Sequence, residues 1–230
     1  MLDERIRRGM ATQLAARRRR LEAGEQSLGW KVGFGAPQAM RGLGIDRPLV
    51  GHLLQSAVVE SGHKFSFPAF AKVALEPEIA VYLGTGLDDG ADAAAVRAAI
   101  SGLGPAIEIA DVTFPPSDGP ETILAGNVYQ RAVILGAIDE RRAGAELTGL
   151  AATLSVNESA VDVPENLQAN TGPIIEVVAM VADTLAAMGE SLAAGELIIV
   201  GSIVPPLFPE TATSLTYTLG EAAPISVNVA

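Results

Sequence analysis

The stretch "LEPEIAVYLG" at residues 75–84 constrains the fold of this chain more than any other segment. Successive side chains of a β-strand point to opposite faces, so residues 75–83 as a strand have one wholly apolar face. The other face carries Glu76 and Glu78, about 7 Å apart at ~3.3 Å per residue. Pro77 between them indicates an edge or bulged position, because proline cannot donate a ladder hydrogen bond.

A second predicted strand, "PAIEIADV" at 105–112, places Glu108 between two small alanines. Two carboxylates on one strand face repel each other unless water or a cation screens them. If the two strands are neighbours, three glutamates converge, and an all-oxygen set of this kind suits Mg²⁺ or Mn²⁺. The alternative is a solvated strand face, where paired glutamates are common.

Lys31 is the second candidate for chemistry. The segment "SLGWKVGFG" at 27–35 alternates, with Trp30 and Phe34 on one face and Lys31 among glycines, including Gly33, on the other. Such a bare face lets another molecule approach the backbone. Lys31 could orient an anion or transfer a proton there. The alternative is an exposed strand lysine.

Composition excludes several classes of site. The chain has no cysteine, which rules out disulfides, thiolate metal sites and cysteine nucleophiles. A net charge of −11 and 4% aromatic residues argue against nucleic acid as a partner.

The run "RRRR" at 17–20 is interpreted as the solvated face of an N-terminal helix, with a nucleic-acid patch as the alternative. The only two histidines, His52 and His63, are interpreted as loop or surface residues.

No apolar run reaches the ~20 residues of a membrane-spanning helix. The opening "MLDERIRRGM" lacks the apolar core of a secretory signal. We therefore expect a soluble cytoplasmic protein with no membrane partner.

Strands dominate the predicted elements. Helices are predicted at 3–24, 88–104 and 173–189, and a hairpin is predicted around Asn157. This is an α+β pattern, not the regular alternation of a doubly wound sheet. With no internal repeat and no long linker, we expect one domain, residues 1–230, with an N-terminal helical segment.

Five segments in order resemble the 2-keto-4-pentenoate hydratase group of the fumarylacetoacetate hydrolase superfamily. They are "GWKVGFG", "AMRGLGIDRPLVGHLL", "EPEIAVYLG", "GPAIEIADVTF" and "MGESLAAGELIIVGS". The resemblance extends from about residue 27 to the end of the chain. It implies a mixed, rolled β-structure with flanking helices, homo-oligomeric assembly, and a small 2-oxo or 2-hydroxy acid from aromatic catabolism as substrate.

The resemblance also implies roles for individual residues. It makes Glu76, Glu78 and Glu108 the ligands of Mg²⁺ or Mn²⁺, and Lys31 the active-site lysine. Three residues are expected to contact substrate: Gly33 on the bare face, Asn127 as the remnant of an "ADN" motif, and Ser202 in "VGS".

The chain departs from the hydratase pattern at "PLVG", where Leu49 and Val50 replace an expected P-D-x-G motif with its acidic proton carrier.

The leading hypothesis is a hydratase of a short 2-hydroxy-dienoate, such as 2-hydroxypenta-2,4-dienoate, acting through a metal-stabilised enolate. The alternatives are decarboxylation of an oxo-dienedioate, hydrolysis of a C–C bond in an acylpyruvate, and a non-catalytic homologue that binds small 2-oxo acids.

Overall fold

The computed structural model of the protein describes residues 2–230. Its α-helices are α1 (Glu4–Glu22), α2 (Pro37–Leu43), α3 (Ala93–Ala99), α4 (Gly119–Ala125) and α5 (Ile174–Ala186). Its strands are β1 (Ser27–Gly33), β2 (Leu49–Leu54), β3 (His63–Phe65), β4 (Val73–Leu83), β5 (Ile100–Asp111), β6 (Gln130–Leu135), β7 (Ala152–Val156), β8 (Ser159–Val161), β9 (Leu197–Ser202), β10 (Thr213–Leu219) and β11 (Ile225–Val229). No helix in this part of the chain combines the length and the apolar character needed to cross a membrane.

The larger sheet has six strands in the order β2-β1-β9-β4-β5-β6. It is mixed, because β1 and β9 run parallel while its other pairs are antiparallel. Its two edges meet where the chain leaves β2: the Val59 amide donates to the Val133 carbonyl of β6 at 3.0 Å, and Val58 bridges Val133 in parallel. The sheet is therefore rolled, with an inner and an outer face.

The inner face is lined by small and apolar side chains. One buried cluster lies there, formed by Leu53, Ala80, Ala106, Val133, Leu197 and Ile199. The outer face packs into the main core, which includes the apolar face of β4 (Leu75, Ile79 and Val81). The two-residue alternation of β4 thus places its glutamates inside the roll.

The second sheet has five strands in the order β3-β11-β10-β7-β8. Its β7–β8 hairpin turns at Asn157 and Glu158, whose φ angles of 49° and 64° are those of a tight hairpin turn. Leu215, Tyr217 and Val227 of this sheet join the main core. Together with α1 and α5, the second sheet covers the outside of the roll.

One local prediction next to β4 was wrong, and one on β4 was right only in part. The helix predicted at 88–104 is confined to Ala93–Ala99, because β5 begins at Ile100 and pairs with β4 from Leu83 onward. Gly102 lies in this strand, where an added Cβ would stand 2.7 Å from the Ile138 side chain. Pro77 is not at an edge, because β4 lies between β5 and β9, although the β4–β9 register shifts beside it, between Glu78 and Ala80.

Neither interpretation of the arginine run describes Arg17. Its side chain is buried, lies 3.3 Å from a Glu190 carboxylate oxygen, and stacks over the Trp30 ring at 4.6 Å. Arg18 and Arg20 pair with acidic side chains of the same chain. The interpretation of His52 as a loop or surface residue was also wrong, because His52 is buried in β2.

Candidate active site

Three glutamates converge inside the roll because of the register between β4 and β5. Glu76 stands directly opposite Glu108, and Glu78 follows two residues further along the same face of β4. One carboxylate oxygen from each lies within 4.8 Å of the others. Glu78 and Glu108 are fully buried, and Glu76 is open to a cavity.

Lys31 of β1 enters the same cluster from across the roll. Its Nζ lies 2.6 Å from Glu108 Oε2, at angles outside those of a hydrogen bond, and donates to the Val128 carbonyl at 3.0 Å. Lys31 is only 2% exposed, so it is not an exposed strand lysine. With all four groups ionised, three carboxylates and one ammonium leave a charge of −2, which one divalent cation balances.

The pKa values of the cluster follow from burial and mutual repulsion. Burial, reinforced by the charge of Glu108, raises the pKa of Glu76 to about 7. The same causes, with the charge of Glu76 added, raise the pKa of Glu78 well above its usual range. Burial lowers the pKa of Lys31, but attraction to the three carboxylates outweighs it and the net shift is upward. Without a cation, this cluster holds its negative charges at a cost in free energy.

A left-handed turn positions the Val128 carbonyl that Lys31 contacts. Asn127, Val128 and Tyr129 have φ angles of 58°, 53° and 63°. Left-handed backbone is unfavourable for a β-branched residue such as Val128, and strain of this kind persists only where the surroundings hold it. The Asn127 side chain supplies that hold, since its Oδ1 accepts from the His52 amide at 2.8 Å and its Nδ2 donates to the His52 carbonyl at 3.0 Å.

A cavity of about 250 Å³ opens onto the cluster. Lys31, Glu76 and Ser202 line it, together with Tyr129 and Asn170. Most of the remaining wall is apolar or backbone, contributed by Phe34, Ala36, Ala39, Ala74, Val112, Pro206 and Phe208. The volume is below the ~300–1,000 Å³ of pockets for drug-sized ligands, which indicates a small substrate.

The residues singled out from sequence fall into three groups. Lys31, Gly33, Glu76 and Ser202 line the cavity, and Glu78 and Glu108 lie behind Glu76. Asn127 is not part of the lining, because its side chain is engaged with the backbone of β2.

Sequence reasoning missed Lys72, Tyr129, Asn170 and Thr171, which line the cavity from loops and strand ends. Asn170 donates to the Ser202 carbonyl at 2.8 Å and so ties its loop to β9. The only signal for Asn170 and Thr171 in the sequence was "QANTGP", which stands before the long helix where the resembled family has a "GNP" motif. Lys72 and Tyr129 had no local signal.

The donor set fits a hard cation. Glu78 Oε1 and Glu108 Oε1 are buried and have no hydrogen-bond partner. Buried carboxylate oxygens are normally satisfied, and oxygen-only sites suit Mg²⁺, Mn²⁺ or Ca²⁺. Glu76, Glu78 and Glu108 are the residues that could hold the ion. Glu76 faces the cavity, where substrate oxygens could complete the coordination shell of the ion.

A rolled mixed sheet that encloses three carboxylates and a lysine under a small cavity is an arrangement that could hold a hard cation beside a small molecule. Residues 32–216 match the family described as "Fumarylacetoacetate (FAA) hydrolase C-terminal", and the chain belongs to that family. The expected relationship to the 2-keto-4-pentenoate hydratase group is confirmed, because one relative carries the name 2-keto-4-pentenoate hydratase.

Relatives of known name are enzymes. The chain is 27% identical over 184 residues to a 4-oxalocrotonate decarboxylase of a Pseudomonas species, covering 80% of this chain and 71% of that protein. It is 27% identical over 185 residues to a 2-keto-4-pentenoate hydratase of Burkholderia vietnamiensis, covering 79% and 70%.

Solved structures share the fold. The 4-oxalocrotonate decarboxylase from Pseudomonas putida G7, complexed with magnesium and adipate, matches with a TM-score of 0.84 at 24% identity, covering 95% of this chain and 83% of that one. The fumarylpyruvate hydrolase from Pseudomonas aeruginosa, in complex with Mn²⁺ and pyruvate, matches with a TM-score of 0.66 at 16% identity, covering 87% and 88%. The mixed rolled architecture with flanking helices expected from the sequence is confirmed.

Proposed function

We propose that this chain is a divalent-metal-dependent lyase acting on a short 2-oxo or 2-hydroxy-dienoic acid, with Glu76, Glu78 and Glu108 as ligands of Mg²⁺ or Mn²⁺. The observation that carries the proposal is the convergence of three carboxylates and one lysine beneath a small cavity. Related structures support the cofactor, because they are complexes with magnesium, calcium or manganese. They also support the substrate class, because adipate and pyruvate are small organic acids.

A bound divalent cation would supply a Lewis acid for the carboxylate and 2-oxo oxygens of the substrate. This chain's residues do the rest. Lys31 is held by Glu108 and the Val128 carbonyl, and its ammonium is the group proposed to orient the substrate and pass a proton to it. Gly33 keeps that space open, because a Cβ there would lie 2.7 Å from Val128 Cγ1 and 3.7 Å from Lys31 Nζ. Ser202 lines the same space and remains a proposed substrate contact.

Hydration of a 2-hydroxy-dienoate is the reaction we propose first, and decarboxylation of an oxo-dienedioate is the second candidate. A specific observation favours the second. Apart from the proposed ligand Glu76, the titratable side chains of the lining are Lys31, Lys72 and Tyr129, and the Tyr129 hydroxyl donates to the Phe114 carbonyl at 3.0 Å. Hydration needs a base to activate water, whereas loss of carbon dioxide does not. Leu49, where an acid was expected, is an apolar residue fully buried in the main core.

The test offers the purified protein both substrates, with Mg²⁺, Mn²⁺ or EDTA. Loss of ultraviolet absorbance follows 2-hydroxypenta-2,4-dienoate, and carbon dioxide release follows 2-oxohex-3-enedioate. We expect metal-dependent turnover that falls at least ~100-fold in Glu108→Gln and in Lys31→Met. Lys64→Met is the matched control, because Lys64 is exposed on β3 and lies outside the cavity. Full activity in both site variants would contradict the residue roles.

A non-catalytic homologue gives a different pattern. Metal and oxalate would then raise the melting temperature together, without turnover of either substrate. No response to metal in either assay would overturn the cofactor assignment as well.

We also propose that residues 1–230 act as one catalytic domain in a cytoplasmic homo-oligomer. The inward face of α1 supports the single domain, because Ile6, Met10 and Leu14 are buried in the main core. Sedimentation of the intact protein measures the subunit number, and a monomer would contradict that part of the proposal.

A further inference from the structure

A second lysine, Lys72, lines the cavity with the cluster. It immediately precedes β4 and lines the cavity together with Ala74 and Glu76 of that strand. Unlike Lys31, Lys72 is exposed, and its Nζ lies 4.5 Å from the centre of the Phe208 ring. Phe208 lines the cavity too and is 46% exposed, so this lysine–aromatic pair stands at the cavity's solvent side.

The Lys72 ammonium has no acidic partner at ion-pair distance among residues 2–230, in contrast to most arginines of this chain. Asp111 is the acidic residue beside it, and Asp111 Oδ1 instead accepts from the backbone amides of Ala71 and Lys72 at 2.9 Å and 3.2 Å. The neighbouring cavity wall is apolar, with Ala74, Val112 and Pro206. The Lys72 ammonium is therefore a positive charge that forms no ion pair with the described carboxylates and lies at the solvent side of a mostly apolar cavity.

We propose that Lys72 is a specificity-determining residue that recognises a second carboxylate at the far end of the substrate, and so selects the dicarboxylic acid of the second candidate reaction over the monocarboxylic acid of the first. This inference rests on the proposed function, in which the first carboxylate and the 2-oxo group lie at the glutamate cluster. Ion pairing with a long, flexible lysine at a partly desolvated site favours an anion over an apolar chain end.

The spacing suits a substrate of moderate length. Lys72 and Glu76 are four residues apart, so their Cα atoms are separated by at most about 13 Å, at ~3.3 Å per residue of extended chain. Side chains of both residues line the cavity and shorten the span that a ligand must bridge. A six-carbon dicarboxylate with the 2-oxo group at one end is shorter than this limit and is the probe we choose.

The experiment compares 2-oxoadipate with 2-oxohexanoate, which has the same chain length but lacks the distal carboxylate. Calorimetric titrations in saturating Mg²⁺ give the Kd of each for the unmodified protein, Lys72→Met, Lys72→Glu and the control Lys64→Met. We expect 2-oxoadipate to bind the unmodified protein and Lys64→Met at least fivefold more tightly than 2-oxohexanoate. In Lys72→Met the two Kd values should converge through weaker binding of 2-oxoadipate alone, and in Lys72→Glu the preference should reverse.

The outcomes separate this inference from the proposed function. If both acids bind in a Mg²⁺-dependent way with equal Kd values and Lys72→Met changes neither, Lys72 is not a specificity residue while the metal site stands. If Lys72→Met weakens both acids equally, it acts on general charge or packing, and the inference fails. If neither acid binds with Mg²⁺ present, the proposed function fails and takes this inference with it.

Discussion

At the scale of single residues, the site depends on side chains that are absent as much as on those present. Gly51 of β2 pairs with Lys31 of β1, and the lysine stem lies over it. A Cβ at Gly51 would stand 2.9 Å from Lys31 Cγ and 3.1 Å from Asn127 Oδ1. The first contact is closer than packed atoms tolerate and the second is tighter than ordinary packing, so the glycine fixes where Lys31 runs inside the roll.

The Gly51→Ala variant tests this packing. We expect it to displace Lys31 and to lower metal-dependent turnover at least tenfold, because small misplacements of a catalytic group are costly. Gly42→Ala is the control, since nothing lies within 4 Å of a Cβ at that position in α2. The control should keep full activity and gain slightly in stability. Equal activity in both variants would show that Lys31 tolerates the methyl group.

At the scale of elements, the arginine-rich helix α1 is attached to the sheet by a buried polar network. Arg17 Nη2 donates to Ser27 Oγ at 3.0 Å and lies 3.6 Å from Glu196 Oε1. Glu196 also accepts from the indole nitrogen of Trp30 at 3.0 Å. The network joins α1, β1 and the start of β9, so the arginine run serves the fold.

Replacing Arg17 by methionine should therefore destabilise the protein. We expect a loss of about 2–4 kcal/mol in the free energy of unfolding, because Glu196 and Glu190 lose a buried partner. Arg19→Met, in the same helix at an exposed position, should change it by less than about 0.5 kcal/mol. Urea denaturation of the two variants measures the difference. Similar unfolding midpoints would show that the contacts of Arg17 do not contribute to stability.

At the scale of the whole molecule, the glutamate cluster links stability to pH and to metal. The pKa of Glu76 is about 7 in the folded chain, against 4.5 for an unperturbed glutamate, mainly because of burial. Between these values the folded state holds more protons than the unfolded state. The free energy of unfolding of the metal-free protein should therefore fall as pH rises through this window.

Thermal melts in EDTA and in Mn²⁺ at pH 5.5 and pH 8 test this linkage. In EDTA we expect the protein to lose of the order of 2 kcal/mol between the two conditions. The stabilisation by Mn²⁺ should grow with pH, because a cation binds the ionised carboxylates. Glu76→Gln removes one of the three carboxylates and should weaken both trends. A Mn²⁺ effect that is the same at both pH values would argue against metal binding by these carboxylates.

Much of the fold was predictable from local pattern. The two-residue alternation of 75–83 gave both faces of β4, and the apolar spacing of α1 gave its buried side. Pairing between strands was less accessible, because the length of β5 depends on its register with β4 and not on its own helix-like composition. Arg17 and His52 were misplaced for a related reason, since burial of a polar residue depends on partners distant in the sequence.

The sequence by itself determined the chemical content of the site, which is three glutamates and a lysine on strands and no thiol. Its two-residue alternation also determined that Glu76 and Glu78 point to the same face of their strand. Only the tertiary structure decided that β4 and β5 pair with Glu76 opposite Glu108 and that the sheet closes on itself between Val58 and Val133. It also decided that Asn127 supports a strained turn and that Lys72 shares the cavity. The physical reason is that alternation is a local property of the backbone, whereas register, closure and cavity walls arise from contacts between segments far apart in the chain.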